Sequence, residues 1–128
     1  MGQGCELLVL AGYDRILSGA ITRAFPERIL NLHNSLLPSF AGTMHAVEEA
    51  LAHGVKITGC TVHLVDPERV DGGPIVLQAA VRVEDDDTPS SLLDRIHQEE
   101  WRILPEAVRL IASGRVRVEG RVVRSVRP

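Results

Sequence analysis

A continuous apolar run, Leu7 to Ala11, lies near the start of the chain and stops at Gly12. Such a run is typical of a strand buried on both faces of a parallel sheet, because a half-exposed strand would alternate apolar with polar residues. Arg28 to Leu32 has the same character and predicts a second buried strand. Helical patterns between such strands indicate an α/β sheet with crossover connections.

Three segments carry helical patterns. Ser18–Phe25 begins with a suitable N-cap serine, and Met44–Ala52 predicts a modest amphipathic helix. The best supported helix has Thr88 as its N-cap and Pro89 at its first position, and a glycine ends it. Pro105 lies inside this helix and predicts a kink or a brief break, because proline lacks the backbone N–H that a helix uses.

Extended segments complete the pattern. Strands are predicted at Ile57–Val65 and Pro74–Val83, and Val116–Val126 around Gly120 predicts a β-hairpin. The predicted fold class is therefore α/β, a partial Rossmann-like fold with a mostly parallel sheet, flanking helices and a C-terminal β-hairpin. A doubly wound sheet normally opens with a glycine-rich turn that binds phosphate at a helix N-terminus, and this sequence contains no such turn.

Length and composition limit the domain count and the partners. The 128 residues fit one domain, residues 1–128, with 45% hydrophobic and 24% charged residues. A net charge of −3 gives no reason to expect nucleic acid as a partner. No apolar run reaches the ~18 residues of a membrane span, so we expect a cytoplasmic protein without membrane contact. Cys5 and Cys60 are expected to be buried, reduced thiols.

The segment Asn31 to Pro38 carries the first candidate site. Asn31 and His33 are two residues apart, so on an extended strand their side chains project to the same side. At the C-terminal edge of an α/β sheet, this pair suits acyl chemistry: the amide donates to a developing oxyanion while the imidazole handles a proton. Taken alone, each residue is also compatible with a hydrogen-bonded structural role.

The second candidate is the segment Asp71-Gly72-Gly73-Pro74. Its two glycines leave room for a ligand to approach the backbone, and Asp71 stands just before a predicted strand. A carboxylate placed there can orient an imidazole and select its tautomer. Alone, the same four residues are an ordinary tight turn.

Five blocks of sequence together resemble the formyltransferase-fold family that uses 10-formyltetrahydrofolate. In order they are AGYDRILS, NLHNSLLPSFAG, GCTVHLVD, VDGGPIVLQAAV and IHQEEWRILPEAV. The resemblance covers nearly all of Leu7 to Val123 and is closest to the glycinamide ribonucleotide branch, with the formyltetrahydrofolate hydrolase branch close behind. It implies an enzyme of de novo purine biosynthesis that moves a formyl group from 10-formyltetrahydrofolate to the amine of glycinamide ribonucleotide, without a metal.

The resemblance also implies roles for individual residues. Asn31 is expected to stabilise the formyl oxyanion, His33 to act as general acid or base, and Asp71 to orient His33 and shuttle protons through a water. Further residues match family positions of three kinds. The nucleotide site is matched by Gly12, Gly42 and Glu100, and the folate pocket by Arg15, Leu17 and the loop from Val65 through Val70 to Asp71. Thr61 and His63 match supporting positions beside the trio.

The sequence departs from the family pattern in three ways. Asn34 stands where the family usually has proline, and the loops at Thr43–Ala46 and Asp66–Arg69 are each one residue longer. Family members also begin with a further strand-helix-strand unit carrying the phosphate-binding turn. We therefore expect a partner chain that supplies this unit, a homodimer that covers the exposed sheet edge, or a fragment of a longer protein. Hydrolysis of formyltetrahydrofolate and non-catalytic folate binding stay open as alternative functions.

Overall fold

The computed structural model of the chain describes residues 8–11, 29–66, 71–114 and 116–125. In chain order the elements are strands β1 (Leu8–Ala11) and β2 (Ile29–His33), helix α1 (Ala46–His53), strands β3 (Ile57–Leu64) and β4 (Ile75–Arg82), helix α2 (Pro89–Ala112), and strands β5 (Val116–Glu119) and β6 (Val122–Ser125). The predicted helix Ser18–Phe25 and Cys5 lie outside the described residues.

The described strands form one sheet in the order β1-β2-β3-β4-β6-β5. β1 is parallel to β2 and β4 to β6, whereas the pairs β2–β3, β3–β4 and β5–β6 are antiparallel. The expected α/β fold with flanking helices and a C-terminal hairpin is confirmed. The expectation of a mostly parallel sheet is wrong for these strands, because three of the five strand pairs are antiparallel.

Helix α2 begins as predicted. The Ser91 backbone N–H donates to Thr88 Oγ1 at 3.2 Å, and the Thr88 backbone N–H donates to Ser91 Oγ at 2.9 Å, so two backbone donors at the helix start are satisfied. The helix runs uninterrupted through Pro105, and the predicted break does not occur. Pro105 is exposed, so the carbonyl that loses its helical partner can bond to water. Among the described residues, no helix combines the length and apolar composition of a membrane span.

The two faces of the sheet differ in chemistry. One face packs against α2 and is apolar: it buries Leu30 and Leu32 of β2 and Cys60, Val62 and Leu64 of β3. Because side chains alternate along a strand, the intervening residues project from the other face. Those residues are polar, namely Asn31, His33, Thr61 and His63. Burial of the apolar face against α2 therefore fixes the polar residues together on the opposite side.

Candidate active site

Asn31 and His33 do share one face of β2. In the antiparallel pairing with β3, Asn31 lies opposite His63 and His33 lies opposite Thr61. Cross-strand partners lie side by side on the same face of a sheet. The sequence prediction that the amide and the imidazole face one place is therefore confirmed, and two polar residues of β3 join them there.

Asp71 reaches this cluster from the loop before β4. Its Oδ2 lies 3.5 Å from His33 Nδ1, and its Oδ1 lies 3.6 Å from His63 Nε2. His63 Nε2 is in turn 3.5 Å from Asn31 Nδ2. The two histidines are 3% and 2% exposed, and the Asp71 side chain is 8% exposed. The structure thus brings Asn31, His33 and Asp71 into one buried cluster, with His63 linking the amide to the carboxylate.

In each imidazole, the nitrogen that does not face Asp71 lies within hydrogen-bond distance of a backbone carbonyl oxygen. His33 Nε2 lies 2.8 Å from the Phe40 oxygen, and His63 Nδ1 lies 3.0 Å from the Leu64 oxygen. A carbonyl oxygen can only accept, so both of these nitrogens carry a hydrogen. The other nitrogen of each ring, His33 Nδ1 or His63 Nε2, faces Asp71. A proton on that nitrogen makes the ring an imidazolium. The cluster can therefore hold an exchangeable proton beside the carboxylate, on either ring.

The Asn31 amide is incompletely satisfied. Among the described residues, its Oδ1 is the buried side-chain oxygen without a hydrogen-bond partner. A half-turn of the amide exchanges Oδ1 with Nδ2, which occupy nearly the same space. In that orientation Oδ1 can accept from a protonated His63 Nε2, and Nδ2 becomes free to donate to a ligand. The Asn31 amide can therefore form one more hydrogen bond than the described residues of the cluster satisfy.

Asp71 is held as an anion. Burial by itself raises the pKa of Asp71, but the contact from His63, the backbone N–H of Gly42 and the charge that His33 can carry together lower it below its ordinary value of 3.8. The Gly42 N–H donates to Asp71 Oδ2 at 2.7 Å. A carboxylate kept ionised between two imidazoles can stabilise an imidazolium without itself taking the proton.

Two non-glycine residues around this cluster have a left-handed backbone. Phe40 has a φ of 56° and Asp71 a φ of 54°. Such a conformation is uncommon for residues with a side chain, and more so for a phenylalanine than for an aspartate. Phe40 supplies the carbonyl that holds His33, and Asp71 supplies the carboxylate. The strained positions are therefore those that set the surroundings of the His33 ring.

Two glycines help to place the Asp71 carboxylate. A Cβ on Gly73 would lie 1.7 Å from the Leu64 oxygen, so the end of β3 requires glycine at this position. Gly42 donates its N–H to Asp71. The expected roles of these glycines in ligand and nucleotide binding stay predictions.

Glu100 lies apart from the trio. It is 6% exposed and belongs to the stripe of α2 that packs on the apolar face, near Cys60. Burial raises the pKa of Glu100, although His97, 3.8 Å away, acts in the opposite direction. Cys60 is buried and free as predicted, and burial, with a further contribution from Glu100, raises its pKa to about 12. Among the described contacts, none joins Glu100 to Asn31, His33 or Asp71.

The remaining predicted site residues divide into two groups. Gly12, Arg15, Leu17 and Val70 lie outside the described residues. Val65 follows β3 directly and donates its backbone N–H to the Ile29 oxygen at 2.8 Å, which ties the start of the predicted folate loop to β2. The roles of all these residues stay predictions.

A cleft of about 330 Å³ opens beside His33. It lies between the end of β2 and the first turns of both helices, and its wall includes Asn34, Thr43, Met44 and Pro89. Met44 is 69% exposed. Two of the predicted departures from the family pattern, Asn34 and the longer loop at residues 43–46, therefore line this cleft. A molecule that reaches His33 through the cleft would contact them.

Comparison with known proteins settles the family. The family described as Formyl transferase matches residues 2–108. The chain belongs to the formyl transferase family. It is 48% identical over 116 residues to the phosphoribosylglycinamide formyltransferase of Mycobacterium tuberculosis, which covers 91% of this chain and 53% of the relative.

Solved structures of this formyl transferase family agree. The glycinamide ribonucleotide transformylase 1 of Symbiobacterium toebii has a TM-score of 0.91 and 54% identity, covering 95% of this chain and 57% of that one. The formyltetrahydrofolate deformylase of Pseudomonas syringae pv. tomato has a TM-score of 0.88 and 31% identity, covering 95% of this chain and 40% of that one. The chain therefore spans about half the length of these family members.

Sequence reasoning missed two contacts that surround this cluster. One is the Phe40 carbonyl that holds His33 Nε2, and the other is the Gln78 side chain, which donates to the loop between β2 and α1. Backbone carbonyls carry no signal in the sequence. Gln78 lies opposite Thr61, but this follows only from the register of β3 and β4.

Proposed function

We propose that the chain transfers a formyl group from 10-formyltetrahydrofolate to the amine of glycinamide ribonucleotide in purine biosynthesis. The observation that carries the proposal is the buried cluster of Asn31, His33, Asp71 and His63, in a chain of the formyl transferase family. The relatives from Mycobacterium tuberculosis and Symbiobacterium toebii, whose names state this chemistry, support the choice of acceptor. A cytoplasmic location suits such a pathway.

The reaction needs an oxyanion donor and a balanced proton exchange. The amine nitrogen attacks the formyl carbon, the formyl oxygen becomes an oxyanion, and collapse breaks the bond between the formyl carbon and N10. The amine loses one proton and N10 gains one. Asn31 Nδ2, once turned away from His63, donates to the oxyanion, which matches the unused hydrogen-bonding capacity of this amide.

His33 and Asp71 act as one unit in this proposal. Asp71 stabilises the imidazolium form of His33 through the Nδ1 contact at 3.5 Å. The proton held there is available to N10, and a water beside Asp71 takes the proton that the amine releases. Of the four residues of the cluster, His33 is the one that borders the cleft of about 330 Å³. Neither a metal nor a covalent enzyme intermediate is needed.

The test is an assay for formyl transfer. The chain is incubated with 10-formyltetrahydrofolate and glycinamide ribonucleotide, alone and together with the unmatched segment of the Mycobacterium tuberculosis relative as a separate chain. The formylated nucleotide is detected by mass spectrometry. We expect product with the wild-type chain and with Gln98→Met, a control at an exposed position of α2, and a loss of about 10²-fold or more with His33→Ala. No product in either mixture would refute the proposal.

A second candidate function is hydrolysis, with water as the formyl acceptor. The structural similarity to the Pseudomonas syringae pv. tomato deformylase favours it, although the identity is lower, 31% against 54%. Formate release that needs no nucleotide, and that His33→Ala abolishes, would select hydrolysis. Folate binding by calorimetry that His33→Ala leaves unchanged, with no turnover, would instead identify a non-catalytic binding fragment.

A further inference from the structure

The loop between β2 and α1, residues 34–42, supplies two backbone groups to the cluster. The Phe40 carbonyl accepts from His33 Nε2 at 2.8 Å, and the Gly42 N–H donates to Asp71 Oδ2 at 2.7 Å. These are shorter than the direct contact of 3.5 Å between His33 Nδ1 and Asp71 Oδ2. The position of the loop therefore determines how the imidazole and the carboxylate meet.

Two side chains of the sheet bind this loop at Leu37. The Leu37 N–H donates to Thr61 Oγ1 at 3.1 Å, and the Thr61 hydroxyl donates to the Ser35 oxygen at 2.7 Å. Gln78 Nε2 donates to the Leu37 oxygen at 3.1 Å and to Thr61 Oγ1 at 3.0 Å. Both backbone groups of Leu37 are thus paired with side chains of β3 and β4.

The hydrogen-bonding capacity of the Thr61 hydroxyl is fully used. A threonine hydroxyl has one hydrogen and two lone pairs, and Thr61 uses all three, on Ser35, Leu37 and Gln78. The Gln78 amide uses its two hydrogens on Leu37 and Thr61. Gln78 lies at an exposed position of β4, yet both hydrogens of its amide are directed at the loop and at Thr61.

We propose that Gln78 is a positioning residue for the reaction of this site. It holds the Leu37 carbonyl, and through the loop it keeps the Phe40 carbonyl on His33 Nε2, so that His33 Nδ1 stays directed at Asp71. Gln78 acts through this loop and does not touch the reacting atoms. The kinetic part of the inference rests on the proposed formyl transfer, whereas the geometric part does not.

The test replaces the Gln78 amide while keeping its length. Gln78→Met removes both donors, and Gln98→Met, at an exposed position of α2, is the matched control. Nitrogen-15 NMR of the full chain follows the His33 Nε2 hydrogen. We expect it to exchange with water at least about tenfold faster in Gln78→Met, the factor for losing one hydrogen bond of ordinary strength, and not in Gln98→Met.

Activity gives the second readout. In the formyl-transfer assay, Gln78→Met is expected to lower kcat by about tenfold with little change in KM, because in this proposal Gln78 sets the orientation of His33 and does not itself hold the substrate. Thr61→Val, which removes the hydroxyl, is expected to lower kcat in the same way, and Gln98→Met is expected to retain the wild-type rate.

Either readout can overturn the inference. An unchanged exchange rate of the His33 Nε2 hydrogen in Gln78→Met refutes the geometric part, whatever the rates. Faster exchange with an unchanged kcat refutes the role in the reaction. If the wild-type chain transfers no formyl group in any mixture, the proposed function fails, and the NMR comparison still decides whether Gln78 positions His33.

Discussion

Replacing Gly73 by alanine tests how Asp71 is placed. The new Cβ would lie 1.7 Å from the Leu64 oxygen and 2.8 Å from the Leu64 carbonyl carbon. A Cβ atom almost never lies closer than 3.0 Å to a non-bonded atom, so the loop must retreat from β3 by roughly 1.3 Å, the difference between 3.0 Å and 1.7 Å. The Leu64 N–H donates to the Pro74 oxygen at 2.8 Å, and a shift of that size breaks this bond.

The cost follows from the bonds that the shift removes. The hydrogen bond between Leu64 and Pro74 contributes about 1 kcal/mol, and the charge-assisted bond from Gly42 to Asp71 about 2 kcal/mol. We therefore expect Gly73→Ala to lower the free energy of unfolding by about 3 kcal/mol. Gly54→Ala is the control: a Cβ there meets no atom within 4 Å, and the left-handed φ of 84° alone costs about 1 kcal/mol.

Urea unfolding followed by circular dichroism measures both variants. The expected order of stability is wild type, then Gly54→Ala, then Gly73→Ala. Since the shift also withdraws Asp71 from His33, Gly73→Ala should lose formyl transfer below the unfolding transition, while Gly54→Ala keeps it. Equal stability of Gly73→Ala and wild type, with the rate retained, would show that the Asp71 loop is not confined by β3.

Three further predictions concern single side chains. Asn31→Ala is expected to lower kcat by roughly 10²-fold, the scale for one oxyanion donor, with an unchanged urea transition as the check on folding. Asp71→Asn is expected to lower the free energy of unfolding at pH values above the ordinary carboxyl pKa. Because the pKa of Asp71 in the folded chain is lowered, the difference from wild type should fade as the pH falls below about 3.8 and through the pKa of the folded chain. Urea titrations from pH 7 to pH 2 measure this difference. A difference that grew in acid would contradict the lowered pKa. Thr88→Ala is expected to cost about 1 kcal/mol through loss of the α2 cap, and Thr88→Ser to cost less.

Much of the fold was predictable because its elements carry local signals. The threonine cap and Pro89 fixed the start of α2, and the apolar stripe of α2 predicted the face that packs on the sheet. Alternation placed Asn31 and His33 on one side of β2, as observed. The direction of the strands was less predictable, because the pairing of β2 with β3 depends on tertiary packing that an apolar run does not encode.

The site was predictable only in part. A two-residue spacing brings Asn31 and His33 together, but the approach of Asp71, 38 positions beyond His33, rested on family resemblance. The backbone groups of Phe40 and Gly42 that orient the trio depend on left-handed conformations, which a phenylalanine does not signal. The break predicted at Pro105 does not occur for a related reason: the exposed position of Pro105 lets the helix continue, and exposure is a property of the folded chain.

The central claim is that His33 and Asp71 work as one unit beside Asn31. A double-mutant cycle on formyl transfer tests it most directly, with His33→Ala, Asp71→Asn and the double variant compared with the wild type. We predict that the double variant is no slower than about the worse single variant, because either change already disables the pair. If the two losses instead multiply, to about 10⁴-fold from singles of about 10²-fold, the residues act independently and the claim is wrong.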